Sequence, residues 1–260
     1  MIGEEDLRHV REDIIPAIEK DHGVKIIFLC ESGSRMWGFA SADSDLDCRG
    51  IFVPRTENML RTHRPPDVIN YTNEKDGRTY VDLSIWSIQK FGKHFQMSNP
   101  SIYEWMQSPI VYYEVGAEME FAARGIESFS RSVLRKHYVS MAKGNFLRKC
   151  KGDDTTVSAK KYLYVLRAVA CVMCLDCDEL PPVRYEGVIG FLPIFLQIKM
   201  RHFIDVKMTT EDMRVPLDPQ MTEFMTEFIA ANHGRPENAP ILKEEVEQWV
   251  VVTQKTMGQI

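Results

Sequence analysis

One arrangement constrains this chain more than any other. A short apolar run, Val24 to Cys30, leads into Glu31-Ser32-Gly33-Ser34, and Asp45-Leu46-Asp47 then opens a second apolar run that stops at Pro54. Alternate residues of a strand point to the same face, so Asp45 and Asp47 can aim both carboxylates at one point. Two carboxylates there need a cation. Magnesium is a hard ion that takes one or two protein carboxylates and completes its shell with water and phosphate. The Gly-Ser turn supplies the complementary half, because a small residue lets phosphate oxygens approach backbone N–H groups at a helix start. Gly33 and Ser34 are therefore candidate ligands of a nucleoside triphosphate, with Asp45 and Asp47 holding its metal.

The competing reading of the acidic pair is a solvated turn, since Ser41-Ala42-Asp43-Ser44 has loop composition. Asp43 fits that reading. Asp47 does not, because it lies inside an apolar strand pattern where an uncompensated carboxylate is costly. A third strand is expected over Arg78 to Trp86, with Tyr80, Asp82 and Ser84 on one face and Val81, Leu83 and Ile85 on the other. Its polar face offers Asp82 as a third carboxylate, with Asp67 and Asp76 as alternatives. Arg35 and Arg49 flank the motif, and each could meet phosphate or pair with a nearby carboxylate.

Composition narrows the class. The 260 residues suffice for one large domain or two small ones, and a formal charge of −5 argues against nucleic-acid binding through bulk positive field. A local basic patch from Lys143, Arg148, Lys149, Lys151, Lys160 and Lys161 remains available. The acidic start of the chain has no apolar segment behind it, and Val188 to Leu196 is too short to span a bilayer, so a cytoplasmic protein without a membrane partner is expected. Six cysteines without secretory context fit a reducing compartment, and there the sequon Asn70-Tyr71-Thr72 carries no meaning. Cys171-x-x-Cys174-x-x-Cys177 ends an apolar helical run and reads as core packing rather than a metal site. The histidines show no zinc spacing, and no P-loop or dinucleotide fingerprint is present.

Along the chain, Glu4 to Lys20 has helical spacing, interrupted by Pro16. Arg55 to Gly77 is expected to be an irregular insertion. Helices are expected at Ile88–Met97, Ser101–Gln107, Ala117–Arg124, Ser130–Lys149, Thr156–Leu175, Tyr185–Met200, Asp218–Ala231 and Leu242–Met257. Asn99 caps the second of these, with Glu104 placed for a capping box, and Gly152-Asp153-Asp154-Thr155 turns between two long ones. Trp37, Trp86 and Trp105 read as core anchors. The expected fold is α+β, a small α/β lobe over residues 1–112 followed by a helical lobe over 113–260.

The sequence GSRMWGFASADSDLDCRGIFV resembles the signature of the DNA polymerase β-type nucleotidyltransferase superfamily, and in its longer form the RlaP-like, RNA repair-associated family. Two further blocks carry the likeness, Ser98 to Trp105 running on to Ser108-Pro109-Ile110-Val111-Tyr112, and Lys160 to Arg167. The resemblance implies a catalytic lobe with a mixed sheet, and two metals about 3.5–4 Å apart that clamp attacking and leaving oxygens. On that scheme Asp45 and Asp47 share both metals, Mg2+ or alternatively Mn2+. Asp82 binds the catalytic one and helps deprotonate the acceptor hydroxyl. The resemblance also implies that Arg35, which recurs after Gly-Ser in the family, meets the triphosphate. Relatives carry a phosphate-binding lysine on the helical lobe. Here Lys160 and Lys161 each share a helix face with Tyr164, so Lys160 and Tyr164 are nucleotide-binding candidates; the competing reading is a solvated basic face of Lys160, Lys161 and Arg167 with Tyr162 and Tyr164 wedged into the core. The reaction implied moves a nucleoside monophosphate from a triphosphate such as ATP to an acceptor hydroxyl. An RNA end, perhaps of a tRNA, is the first acceptor to try. Protein or small-molecule modification, and a nucleotide-binding protein without turnover, are the alternatives.

Overall fold

The computed structural model describes residues 3–62, 65–149, 155–209, 213–232 and 240–259. Its first helix is interrupted by Pro16. Helix α1 (Glu4–Arg8) widens into a π-helical turn, His9–Ile14, before α2 (Ile15–His22), and the Ile15 N–H reaches back five residues to the Val10 carbonyl. Proline lacks an N–H and crowds the carbonyl one turn earlier, and a π-turn absorbs that conflict without ending the helix. Gly23, in the left-handed conformation at φ +60°, stops it.

The apolar run becomes β1 (Val24–Glu31), followed by the short helix α3 (Gly33–Trp37) and β2 (Leu46–Pro54). Next come α4 (Thr56–Met59), β3 (Val68–Lys75), β4 (Arg78–Ser87), α5 (Ile88–Gln96), α6 (Pro100–Trp105), β5 (Val111–Glu114) and α7 (Gly116–Gly125). The five strands form one mixed sheet in the order β3-β4-β2-β1-β5. Strands β2 and β4 run parallel, and the other pairs are antiparallel. Val81, Leu83 and Ile85 of β4 and Leu46 and Cys48 of β2 pack with Val10, Ile14 and Ile18 of the N-terminal helix. The alternate positions of the same strands, Asp47, Arg49, Asp82 and Ser84, therefore belong to the opposite face.

The remaining described elements are α8 (Arg131–Lys149), β6 (Thr156–Ser158), α9 (Ala159–Asp176), α10 (Tyr185–Val188), α11 (Ile194–Thr209), β7 (Arg214–Pro216), α12 (Pro219–Ala231) and α13 (Lys243–Met257). By packing, the chain divides into two compact units that interleave in sequence. The first holds residues 1–36, 45–129 and 239–260, and so contains the five-stranded sheet and α13. The second holds 37–44 and 130–238: helices α8 to α12 around α9, and a ribbon of β6 against β7. Where composition drew one boundary at residue 112, packing draws several.

Some local expectations change. Arg55–Gly77 is not irregular, since it contains α4 and the edge strand β3. The β3–β4 turn is Asp76-Gly77, both at positive φ, the two-residue hairpin connection that Asp-Gly favours. The expected helix Tyr185–Met200 is broken at Pro193, and α11 runs on to Thr209. Thr156–Ser158 is strand rather than helix. The Asn99 carboxamide accepts from the Ser101 N–H at 2.9 Å, but Ile102 occupies the third helical position, so Glu104 forms no capping box. Cys171 and Cys174 are buried free thiols while Cys177 is exposed, outside the core packing expected of it; Trp37 and Trp105 are buried as anchors and Trp86 is half-buried. Cys150, Lys151 and Gly152-Asp153-Asp154 lie outside the described residues, as does the side chain of Lys149. Among the described residues no helix is long and apolar enough to cross a membrane.

Candidate active site

The site begins where β1 ends. Gly33 has φ +59°, and a Cβ built there would lie 2.2 Å from Oδ2 of Asp47. No other residue type fits between that backbone and that carboxylate. The contact is reinforced from both sides. The Ser32 N–H donates to the Asp47 carbonyl at 2.8 Å, and the Asp47 N–H donates to Oε1 of Glu31 at 3.2 Å. Ser34 follows, buried at the first turn of α3.

Glu31 is fully buried, its other oxygen accepting from the Tyr112 hydroxyl at 2.5 Å. Burial pushes its carboxyl up to about 7, against the Tyr112 and Asp47 hydrogen bonds that hold it down, while the Asp47 charge adds to the rise. Neither Glu31 nor Tyr112 was a candidate on sequence. The available signal was a carboxylate ending a largely apolar strand two residues before Gly33.

Strand register builds the rest. Asp47 of β2 stands beside Asp82 of β4, and Arg49 beside Ser84. Arg49 bridges the acids: its Nη2 donates to Oδ1 of Asp47 at 3.3 Å and to Oδ2 of Asp82 at 3.0 Å. Its Nη1 donates to the carbonyls of Cys48 and Asp82, at 2.9 and 2.7 Å. Of the alternatives for the third acid, Asp67 accepts from the Ser87 hydroxyl at the other end of β4, and Asp76 sits in the hairpin turn. Asp45 lies one residue before β2, half-buried, with its carbonyl accepting from Nε of Arg35 at 3.1 Å. The same nitrogen is 3.9 Å from Glu31, so Arg35 ties the start of β2 to the end of β1.

Among the described residues no three acidic, imidazole or thiol groups converge into a metal cage. The donor chemistry nevertheless fits a hard cation. Carboxylate oxygens of Asp47 and Asp82 lie within bonding distance of one positively charged nitrogen, so an ion bound between them would stand where the Arg49 guanidinium now stands.

Lys160 and Tyr164 belong to the second unit, on the first turns of α9. Lys160 and Lys161 lie 5.9 and 5.5 Å from the centre of the Tyr164 ring, as their spacing predicts, and the Trp37 ring meets Tyr164 edge-on at 5.0 Å. Arg167 is no part of a solvated face. It is buried, 4.5 Å from the Trp37 ring centre, and donates to the Val183 carbonyl. Tyr162 is buried as well, stacked on Phe203.

A glycine forced against one strand carboxylate, with a second carboxylate beside it in parallel register, is the arrangement expected of a polymerase β-type catalytic lobe. Comparison with known proteins agrees. The family RlaP, described as the RNA repair pathway DNA polymerase beta family, matches residues 7–251. The chain belongs to this family. The protein YcgL of Bacillus subtilis (strain 168), itself described as uncharacterized, is 38% identical over 182 residues, covering 69% of this chain and 68% of YcgL. A crystal structure of a nucleotidyltransferase-like protein from Exiguobacterium sibiricum 255-15 aligns over 94% of this chain and 73% of its own, at 8% identity and a TM-score of 0.31, a likeness too slight to carry an argument.

Proposed function

We propose that this RlaP family member is a magnesium-dependent nucleotidyltransferase that moves a nucleoside monophosphate from a triphosphate to a hydroxyl at an RNA end. The observation that carries the reading is the wedge of Gly33 against Asp47, with Asp82 in register beside it. A backbone held that close to a carboxylate can bring a phosphate chain and its metal to one point. Gly33 and Ser34 bind the β- and γ-phosphates, and Arg35 adds charge there. Asp45, Asp47 and Asp82 hold Mg2+ or Mn2+, which when bound neutralises charge on the attacking and leaving oxygens. Lys160 and Tyr164 are the nucleotide-binding candidates of the helical unit.

The transfer balances simply. The acceptor oxygen forms a bond to the α-phosphorus, and the bond from that phosphorus to the oxygen bridging to the β-phosphate breaks. Pyrophosphate leaves, and the hydroxyl proton passes to Asp82. The family description makes RNA the first acceptor to test; the charge of −5 puts any RNA contact on local groups rather than on the whole surface.

The test is label transfer from each of four α-labelled ribonucleotides, with Mg2+ or Mn2+, to total RNA and in parallel to total cell protein. Metal-dependent label in RNA that the Asp45→Ala/Asp47→Ala variant fails to produce is the expected result. Label in protein alone moves the reading to a protein-modifying enzyme. No label in either refutes the macromolecular acceptor.

A further inference from the structure

Strand order gives the active face two ends. The Gly33-Ser34 turn follows β1 on one side of the Asp47–Asp82 pair, and the edge strand β3 lies on the other. In-line displacement requires the acceptor oxygen and the leaving pyrophosphate on opposite sides of the α-phosphorus. If Gly33 and Ser34 hold the leaving group, the acceptor lies along β4 and β3.

Register then identifies what it meets. Thr72 pairs directly with Asp82, and Asn70 with Ser84. Directly opposed residues of an antiparallel pair share a face with Cβ atoms about 5 Å apart, so Thr72 and Asn70 flank the carboxylate face of β4. Both are exposed, and neither side chain makes a hydrogen bond to another described residue. The opposite face of β3 behaves differently, since it buries Ile69 and packs Tyr71 against the core.

Exposure on an edge strand is ordinary, but its chemistry here is not. Edges are commonly protected by charges, above all lysine. In β3 the charges Glu74 and Lys75 gather at the hairpin end, and the stretch beside Asp82 and Ser84 carries only a neutral amide and a neutral hydroxyl. Arg49, the cation of the neighbouring strand β2 on this face, is engaged by Asp47 and Asp82, and this stretch of β3 itself offers no cation to an acceptor phosphate. The groups present suit a sugar, because Thr72 can donate to and accept from a hydroxyl and Asn70 can do both at once.

We propose, resting on the nucleotidyltransferase reading, that β3 is the acceptor subsite. Thr72 hydrogen-bonds the 2′-hydroxyl of the acceptor's terminal ribose while its 3′-oxygen sits at Asp82, and Asn70 holds the sugar or base behind it. The chain thereby selects a ribose end over a deoxyribose end. The sequon residues, without meaning as a glycosylation signal, acquire a role as the two outward positions of one strand.

The test compares transfer to two oligoribonucleotides identical except for a terminal 2′-deoxyribose, using wild type, Thr72→Val, Thr72→Ser and Asn70→Ala. Wild type should prefer the ribose end by about tenfold, the worth of one hydrogen bond, in kcat/KM. Thr72→Val, which keeps the shape and loses the hydroxyl, should bring the ratio near one. Thr72→Ser should keep it, and Asn70→Ala should raise KM for both acceptors with little change in kcat. A merely structural Thr72 would alter both acceptors equally. Active protein whose ratio ignores Thr72→Val overturns the subsite and leaves the enzyme standing. Wild type that transfers to neither oligonucleotide, with or without the deoxy end, overturns the RNA acceptor and the subsite with it.

Discussion

The two sides of the acidic pair are built on different terms. On the β1 side every group near Asp47 is fixed. Gly33 touches its carboxylate, Ser32 and Glu31 hold its backbone, and Tyr112 holds Glu31 from beneath. On the β3 side Asp82 is 39% exposed and its neighbours Asn70 and Thr72 face solvent with no bonds to other described residues. On the proposed function, a triphosphate presents the same phosphates whatever its base, so a preformed cradle on the β1 side costs nothing in range. An acceptor is larger and varied, and an open ledge admits it. Rigid where the chemistry is invariant and open where the substrate differs is the division this sheet suggests.

Removing the shared element of both sides should have the largest effect. Asp45→Ala/Asp47→Ala should lower transfer by on the order of 10⁴, because carboxylates acting as one unit fail together. Asp47→Ala alone should come close to the double variant. If it retained a tenth of wild-type activity, the fixed side would not be the metal side.

Gly33→Ala attacks the fixed side by shape alone. The new methyl group would fall on the Asp47 carboxylate in a backbone conformation that alanine resists. Activity should drop by about 10², the effect of misplacing a reacting group by about 1 Å, and the midpoint of thermal unfolding should fall modestly. Glu31→Ala probes the same side from below. It strands the buried Tyr112 hydroxyl and the Asp47 N–H, and should cost about 2–4 kcal/mol of stability in denaturant melts. Glu31→Gln, which keeps the shape and an acceptor oxygen, should cost less than half of that.

Legibility in the sequence follows the same division. That Asp47 and Asp82 stand on polar strand faces was legible because an acidic residue in an apolar strand pattern has few inexpensive explanations, and because alternation fixes its face. The pairing of Asp82 with Asp47 came from tertiary register, which alternation permits but does not determine. The edge strand β3 was lost for a physical reason. Only one of its faces is buried and its other face is neutral and polar, so its apolar signal is half that of β1, although the Asp76-Gly77 turn announced the hairpin. Glu31 was passed over because a single carboxylate at the end of a strand reads as exposed, and its depth depends on Tyr112, distant in the chain. Arg167 was misread because a cation on an amphipathic helix is usually solvated, and what buries it is the Trp37 ring and the Val183 carbonyl, neither on its own helix.

The smallest effect sharpens the comparison most. Gly77 also has a left-handed backbone, φ +74°, but a Cβ built there meets nothing within 4 Å. Gly33 and Gly77 thus share the conformational demand and differ in what stands in front of them. Gly77→Ala should cost about 1 kcal/mol of stability, the strain of alanine at positive φ, and leave transfer within about twofold of wild type. The activity difference between Gly33→Ala and Gly77→Ala then measures the contact with Asp47 by itself, free of the backbone strain that both variants carry. Equal losses in the two would mean that the hairpin, and with it the β3 ledge, limits turnover as strongly as the phosphate cradle does. A large loss confined to Gly33 would locate the rigid requirement on the β1 side alone.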